Sequence, residues 1–216
     1  LYFRDATRKK KIYFVEGVPE LVVSTDKREL FGEHLVARGA VLRMEVEMAL
    51  AMLPRFNGHL GDALCGLGVL RPIELVRAIQ AQMLDRTTEV FTWTRGELAF
   101  VRGTRSHEET FPLAIDPFDL VVRGVREGYN QEELETLLAP LENETIEMQP
   151  LPVRLSAFRF SDTEEQILAC VKGPISIDEV AKTMRKAATR EETLRTIFCA
   201  LSADLLRSSK MLLDPL

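Results

Sequence analysis

Three histidines and three cysteines are the side chains in this 216-residue chain best suited to metal ligation or nucleophilic attack. The histidines are His34, His59 and His107, and none falls in a metal-ligand spacing such as His-Glu-x-x-His. His107-Glu108-Glu109 sits in a polar stretch that reads as a solvated loop. Cys65, Cys170 and Cys199 lie far apart, each in an apolar helical context, as buried reduced thiols do. No Gly-x-Ser-x-Gly elbow, Gly-x-x-x-x-Gly-Lys phosphate cradle or Gly-x-Gly-x-x-Gly run occurs. The carboxylates fall on helix starts and outer helical faces, so no pair stands out as general acid and base. These observations point to a non-catalytic chain with no metal and no cofactor.

What the sequence does carry is a duplicated motif. Leu30-Phe31-Gly32-Glu33-His34-Leu35-Val36-Ala37-Arg38-Gly39 is followed 29 residues later by His59-Leu60-Gly61-Asp62-Ala63-Leu64-Cys65-Gly66-Leu67-Gly68. Gly32 aligns with Gly61, Glu33 with Asp62, Leu35 with Leu64 and Gly39 with Gly68. An internal repeat of this period is one supersecondary unit used twice, and each copy alone leaves an apolar face to cover. Gly39 and Gly68 suit left-handed helix caps, while Gly32 and Gly61 permit close approach of helices.

The elements around the repeat follow from periodicity and turn chemistry. Residues 1–24 alternate and read as an antiparallel meander with a basic turn. Because the chain opens inside an apolar run, earlier strands of the same sheet are expected upstream. Residues 28–90 are helical, the first long helix carrying Met44, Val46, Met48 and Ala49. The second is expected to bury Ile73, Leu75, Val76, Ile79, Met83 and Val90. Phe91–Thr94 and Glu97–Val101 read as a hairpin that returns to the opening sheet. Two further helices follow, before Pro140, and the acidic, proline-flanked stretch 142–152 reads as a linker. Beyond it, Ser161 with Glu164, Ser176 with Glu179 and Thr189 with Glu192 are three capping boxes that start three helices, with a closing strand at Met211–Leu213. The expected fold is α+β. A small antiparallel sheet packed with duplicated helix pairs occupies residues 1–103, and a helical connector packs on it at 104–141. An all-α, winged-helix-like bundle spans 153–216.

Bulk numbers bound the function. A hydrophobic fraction of 46%, a charged fraction of 28% and a net charge of −5 are those of a globular chain without a general affinity for nucleic acid. No apolar run approaches the roughly 18 residues that would span a bilayer. Three scattered cysteines fit a reducing cytoplasm.

Extended, each copy of the repeat runs Leu-Gly-acid-x-Leu-x-x-x-Gly into a helix with Val46 and Leu50 in the first copy, and Leu75, Ile79 and Gln82 in the second. This resembles the MshEN-type duplicated unit of type II secretion and type IV pilus ATPases. In that family the doubled motif can bind cyclic di-GMP, an arginine opening each copy and a glutamine closing it. The resemblance implies a ligand set of Gly32, Gly39, His59, Gly61, Gly68 and Gln82. This chain has Leu30 and His59 where the arginines stand and Leu53 where the first glutamine stands, and the bidentate arginine fork is hard to replace.

The wider layout over residues 1–103 is a basic-turned strand pair, doubled helices and Phe91-Thr92-Trp93-Thr94-Arg95-Gly96-Glu97. It is similar to the PATAN-type domain of bacterial signalling proteins. Such domains sit beside receivers or at the C-terminal side of Ser/Thr kinases, an arrangement that Phe111–Pro117 resembles. The resemblance implies a non-catalytic regulatory module that binds another signalling protein or an attached effector domain. The candidate contact residues are His34, Arg38, His59, Trp93 and Arg95. A third reading is a DNA-binding regulator using Lys182, Arg185, Lys186, Arg190 and Arg195. The segment 151–216 carries ten Lys or Arg against nine Asp or Glu, and Glu191 and Glu192 open its last helix, which disfavours DNA. The oligomeric state is left open.

Overall fold

The computed structural model describes residues 1–104, 106, 115–150 and 155–209. The loop at His107–Glu109, the phrase from Phe111 and the expected strand at Met211–Leu213 lie outside the described residues. The chain divides into two compact units. One comprises residues 1–87 and 94–115, the other residues 88–93 and 116–216.

The first unit opens on a four-stranded antiparallel sheet. β1 (Tyr2–Arg4), β2 (Lys9–Val15) and β3 (Val18–Ser24) form the expected meander, and the strand order is β3-β2-β1-β4. In β2, Lys10 and Ile12 are buried while Lys9 and Lys11 are exposed, the alternation that a sheet covered on one face imposes. The fourth strand, β4, spans only Glu97–Ala99 and pairs with β1. The expected hairpin does not form. Glu89–Thr92 is a single 3-10 turn, because Phe91 lies against Gly124 and Gly128 and belongs to the second unit.

The repeat then appears as two helix pairs. α1 (Phe31–Ala37) and α2 (Arg43–Ala51) are followed by α3 (Leu60–Gly66) and α4 (Pro72–Thr88), with the starts of equivalent helices 29 residues apart. The same backbone bonds recur at that interval. Gly39 and Gly68 donate to Val36 O and Cys65 O, and Ala40 and Val69 donate to Leu35 O and Leu64 O. Both glycines are left-handed, at φ +66° and +73°, so each short helix ends in a Schellman motif. Glu45 and Glu74 each accept from the backbone three residues earlier, at Leu42 and Arg71. A Cβ on Gly32 would stand 2.8 Å from Val46 Cγ1, and one on Gly61 would stand 2.7 Å from Leu75 Cδ1. Val46 and Leu75 are themselves equivalent positions. Each short helix therefore rests its glycine backbone on the long helix of its own copy.

This packing corrects the expected helical faces. With Leu75, Ile79 and Met83 turned inward, Ile73 and Val76 lie about 160° and 100° around α4 and are exposed. Met44 and Met48 likewise sit opposite the buried Val46 and Ala49.

The second unit holds α5 (Pro117–Gly128), α6 (Gln131–Leu138), α7 (Asp162–Ala169), α8 (Ile177–Met184) and α9 (Arg190–Ser202). All three expected capping boxes are present. The unit is not all-α, however. The stretch read as a linker contains β5 (Thr145–Met148), which lies between β6 (Ile175–Ser176) and β7 (Leu206–Ser208) in an antiparallel sheet. The Thr-Ile-Glu-Met alternation buries Ile146 completely. The division also falls earlier than expected, between residues 115 and 116. Val122 and Val125 of α5 and Leu134 and Leu138 of α6 belong to the same core as Ile167, Val180 and Ile197. Residues 116–141 are thus part of this core rather than a connector on the first domain.

Alanine at Gly32 or at Gly61 forces Val46 or Leu75 off the helix it supports. Each substitution is expected to lower unfolding stability by about 1–3 kcal/mol, as overpacking does, despite alanine's better helix propensity. Urea denaturation of the two variants checks this, and equal losses would show that the two copies pack alike.

Candidate functional site

Polar chemistry in the first unit concentrates where the sheet meets the repeat. Lys10, on β2, is fully buried, and its ammonium lies 2.7 Å from Glu29 Oε1. The same ammonium donates to Arg86 O at 2.8 Å. Glu29 occupies the 3-10 turn Lys27–Glu29 that leads into α1. Its backbone carbonyl accepts from Gln82 Nε2 at 2.7 Å and from Arg86 Nε at 3.1 Å. Arg86 also reaches Val22 O on β3, at 3.4 Å. Two cations therefore converge on one carboxylate, whose second oxygen, Oε2, is buried with no hydrogen bond among the described residues. Burial pulls the Arg86 guanidinium below its ordinary value, and the Glu29 charge pulls it back up.

A second cluster adjoins on α1 and α4. Asp85 accepts from Arg38 Nη2 at 2.6 Å and faces His34 Nδ1 at 3.7 Å. The His34 ring is mostly buried, and its Nε2 has no partner among the described residues. Burial holds this imidazole below its ordinary pKa. Asp85 opposes that shift, while Arg38 and Arg86 reinforce it.

Gln82 is 7% exposed and spends its amide on Glu29 O. Gly32 and Gly61 face apolar side chains, and Gly39 and Gly68 are helix caps. His59 is exposed and lies 3.2 Å from Asp62 of its own turn. Among the contact candidates, His34 and Arg38 share Asp85, whereas Trp93 and Arg95 fall in different units. No group of three or more His, Cys, Asp or Glu among the described residues is arranged to hold a metal ion. On the basic helices, Arg190 bridges to Glu135 and Asp178, and Arg195 pairs with Glu191 and donates to Tyr129 O. Burial pushes the Cys199 thiol up to about 12, far from a reactive thiolate.

Sequence reasoning missed the exposed apolar side chains of the repeat. Met44 and Ile73, equivalent positions 29 residues apart, are 61% and 53% exposed. Leu42, Met48, Leu50 and Val76 are exposed beside them in sequence. The signal for three of them is in the sequence: Met44 and Met48 lie about 160° from Val46 on the helical wheel and Ile73 about 160° from Leu75, and the glycine contacts identify which face is inward.

Replacing Lys10 by Met leaves Glu29 buried against Arg86 alone, and a loss of about 3–5 kcal/mol is expected. The double variant Lys10→Met with Glu29→Gln is expected to recover part of that loss, read by a double-mutant cycle in urea. His34 makes a second test. Its folded pKa lies below the unfolded value of 6.5, so the unfolded chain takes up the proton first. Stability is then complete above 6.5 and falls as the pH drops below it. Chemical denaturation between pH 7.5 and pH 5 checks this, and His34→Gln is expected to flatten the profile. Comparison of the chain with protein-family models, with curated proteins and with solved structures yields no match.

Proposed function

We propose that the chain is a non-catalytic regulatory module of a signalling protein, and that its first unit binds another signalling protein or an attached effector domain. One observation carries this reading. Of the twelve large apolar side chains that stand exposed among the described residues, eleven lie in the first unit and one, Leu137, in the second. Single exposed apolar residues are ordinary, but a concentration on one unit marks an interaction surface. Six of the eleven lie on α2, α4 or the residue before α2, and Met44 and Ile73 repeat one another's position. Methionine suits such a surface because its flexible thioether adapts to a partner.

The order of sheet and doubled helices supports the likeness to PATAN-type domains. Gly32 and Gly61, which pack against Val46 and Leu75, and the helix caps Gly39 and Gly68 serve the fold, which supports a surface for protein contact. No helix among the described residues is long and apolar enough to cross a membrane. The three unpaired cysteines favour a cytoplasmic setting.

Glutamate at Met44 and Ile73 is expected to leave the melting temperature within the range of surface substitutions, about ±0.5 kcal/mol in stability. Proximity labelling in the native cell, with the wild-type chain and the double variant, is the measurement. Proteins enriched by the wild type and lost from the double variant support the reading; an unchanged set overturns it.

A further inference from the structure

The two copies of the repeat differ on their outward sides. In α2, Met44, Met48 and Ala51 lie within about 60° of one another on the helical wheel, opposite the buried Val46, and all three are exposed. The equivalent positions 29 residues later hold Ile73, Arg77 and Gln80. The second copy thus interrupts the stripe with a cation and an amide, as a solvated face does, while the first copy keeps it apolar. Leu42, exposed just ahead of α2, likewise corresponds to Arg71.

The charge beside the stripe has one sign. Glu47 lies on one flank and Glu45 on the other, each within about 60° of the nearest stripe residue. Glu47 has no hydrogen bond or ion pair among the described residues. Glu45 spends one oxygen on Leu42 N, at 2.7 Å. Arg43 is the only cation of α2, and both its terminal nitrogens are paired with Glu33 of α1. Arg55 follows in the turn Leu53–Phe56, beyond the stripe in sequence. An apolar ridge with a spacing of four, flanked by carboxylates, is complementary to a helix of the same spacing flanked by cations. A second copy of this chain would bring the same carboxylates and set like charges together.

We propose that α2 seats a basic amphipathic helix of a partner protein. The apolar stripe of that helix packs on Met44 and Met48, and its lysines or arginines meet Glu45 and Glu47. The inference rests on the reading of the chain as a protein-binding module and names the chemistry of the partner segment. Arg77, standing where the first copy has Met48, keeps such a helix off the second copy.

The probe is the peptide Leu-Lys-Lys-Leu-Leu-Lys-Lys-Leu-Lys-Lys-Leu-Leu-Lys-Lys, blocked at both ends and added to chain labelled with carbon-13 at its seven methionine methyls. Saturable shifts of the Met44 and Met48 signals are expected, and none when glutamate replaces every lysine of the peptide. Met48→Arg gives the first copy the residue of the second, and is expected to weaken binding about tenfold or more at an unchanged melting temperature. Glu47→Gln is expected to weaken it about threefold, and Ile73→Arg to leave it unchanged. Equal binding of the glutamate peptide, shifts that spare Met44 and Met48, full affinity in Met48→Arg, or a matching loss in Ile73→Arg overturns the proposal. So do shifts of these signals with phosphatidylglycerol vesicles and not with the peptide, which would make α2 a lipid contact. Shifts that follow protein concentration alone also overturn it, and mark α2 as a contact between copies. If the double variant at Met44 and Ile73 loses its neighbours in the cell while the peptide fails to bind, the basic helix is overturned and the wider reading stands.

Discussion

The first unit depends on a charge buried at the junction of its two parts. Lys10 lies at the centre of the sheet with its side chain fully removed from water, and Glu29 meets it from the turn that opens the repeat. A lone ammonium in that position would be unaffordable, since desolvation outweighs anything a neutral neighbour returns. The pair is tolerable because all of its polar atoms but Glu29 Oε2 are tied down, and Arg86 Nε stands 3.9 Å from that oxygen. The ammonium has a second acceptor in Arg86 O, and the Glu29 backbone carbonyl takes up Gln82 and Arg86. These bonds join β2, β3, the turn before α1 and the end of α4. Buried ion pairs add little net stability, but they penalise every alternative arrangement that separates them. Here that penalty fixes how the helices of the repeat register against the sheet.

The repeat itself is held by a different constraint, the lack of a side chain. Gly32 and Gly61 bring α1 and α3 against Val46 and Leu75, closer than any Cβ would allow. Once those contacts are set, the roll of each long helix is set too, because Val46 and Leu75 must face inward. Met44, Met48, Ile73 and Val76 are then turned outward by helical geometry alone. The exposed apolar faces are thus a consequence of the glycine packing, and both copies inherit them.

Much of this order was legible in the residues. The meander, both Schellman glycines, the 29-residue period and three capping boxes are local patterns, readable from neighbours within a few positions. The failures were non-local. Phe91 reads as a strand residue beside Thr92 and Trp93, yet Gly124 faces its ring and Gly128 its Cβ and backbone, and a pairing more than 30 residues away outranks β propensity. Thr145–Met148 reads as linker because the acids and prolines of the surrounding stretch 142–152 dominate, although the four-residue alternation was there. One member of the candidate site shows a related non-local bond. Gln82 looks like a ligand in one dimension, while its partner Glu29 lies 53 residues away. Polar residues that serve packing and polar residues that serve ligands have the same spelling.

The two units differ in how they are held together. Twenty buried residues form one contiguous apolar core in the second unit, whereas the repeat of the first is centred on seven. A unit with a small core and many exposed apolar side chains gains more from association than a well-filled one. Any partner that covers Met44 and Ile73 stabilises the folded state by mass action, since it binds the native arrangement and not the unfolded chain. On the proposed reading, the buried Lys10–Glu29 pair serves recognition as well as folding. It holds the register of the repeat while its apolar faces stay open to water, so the surface is in place before a partner arrives. A module built this way lowers the ordering cost of association by bearing that cost during folding, through ionic and glycine contacts rather than through a larger core.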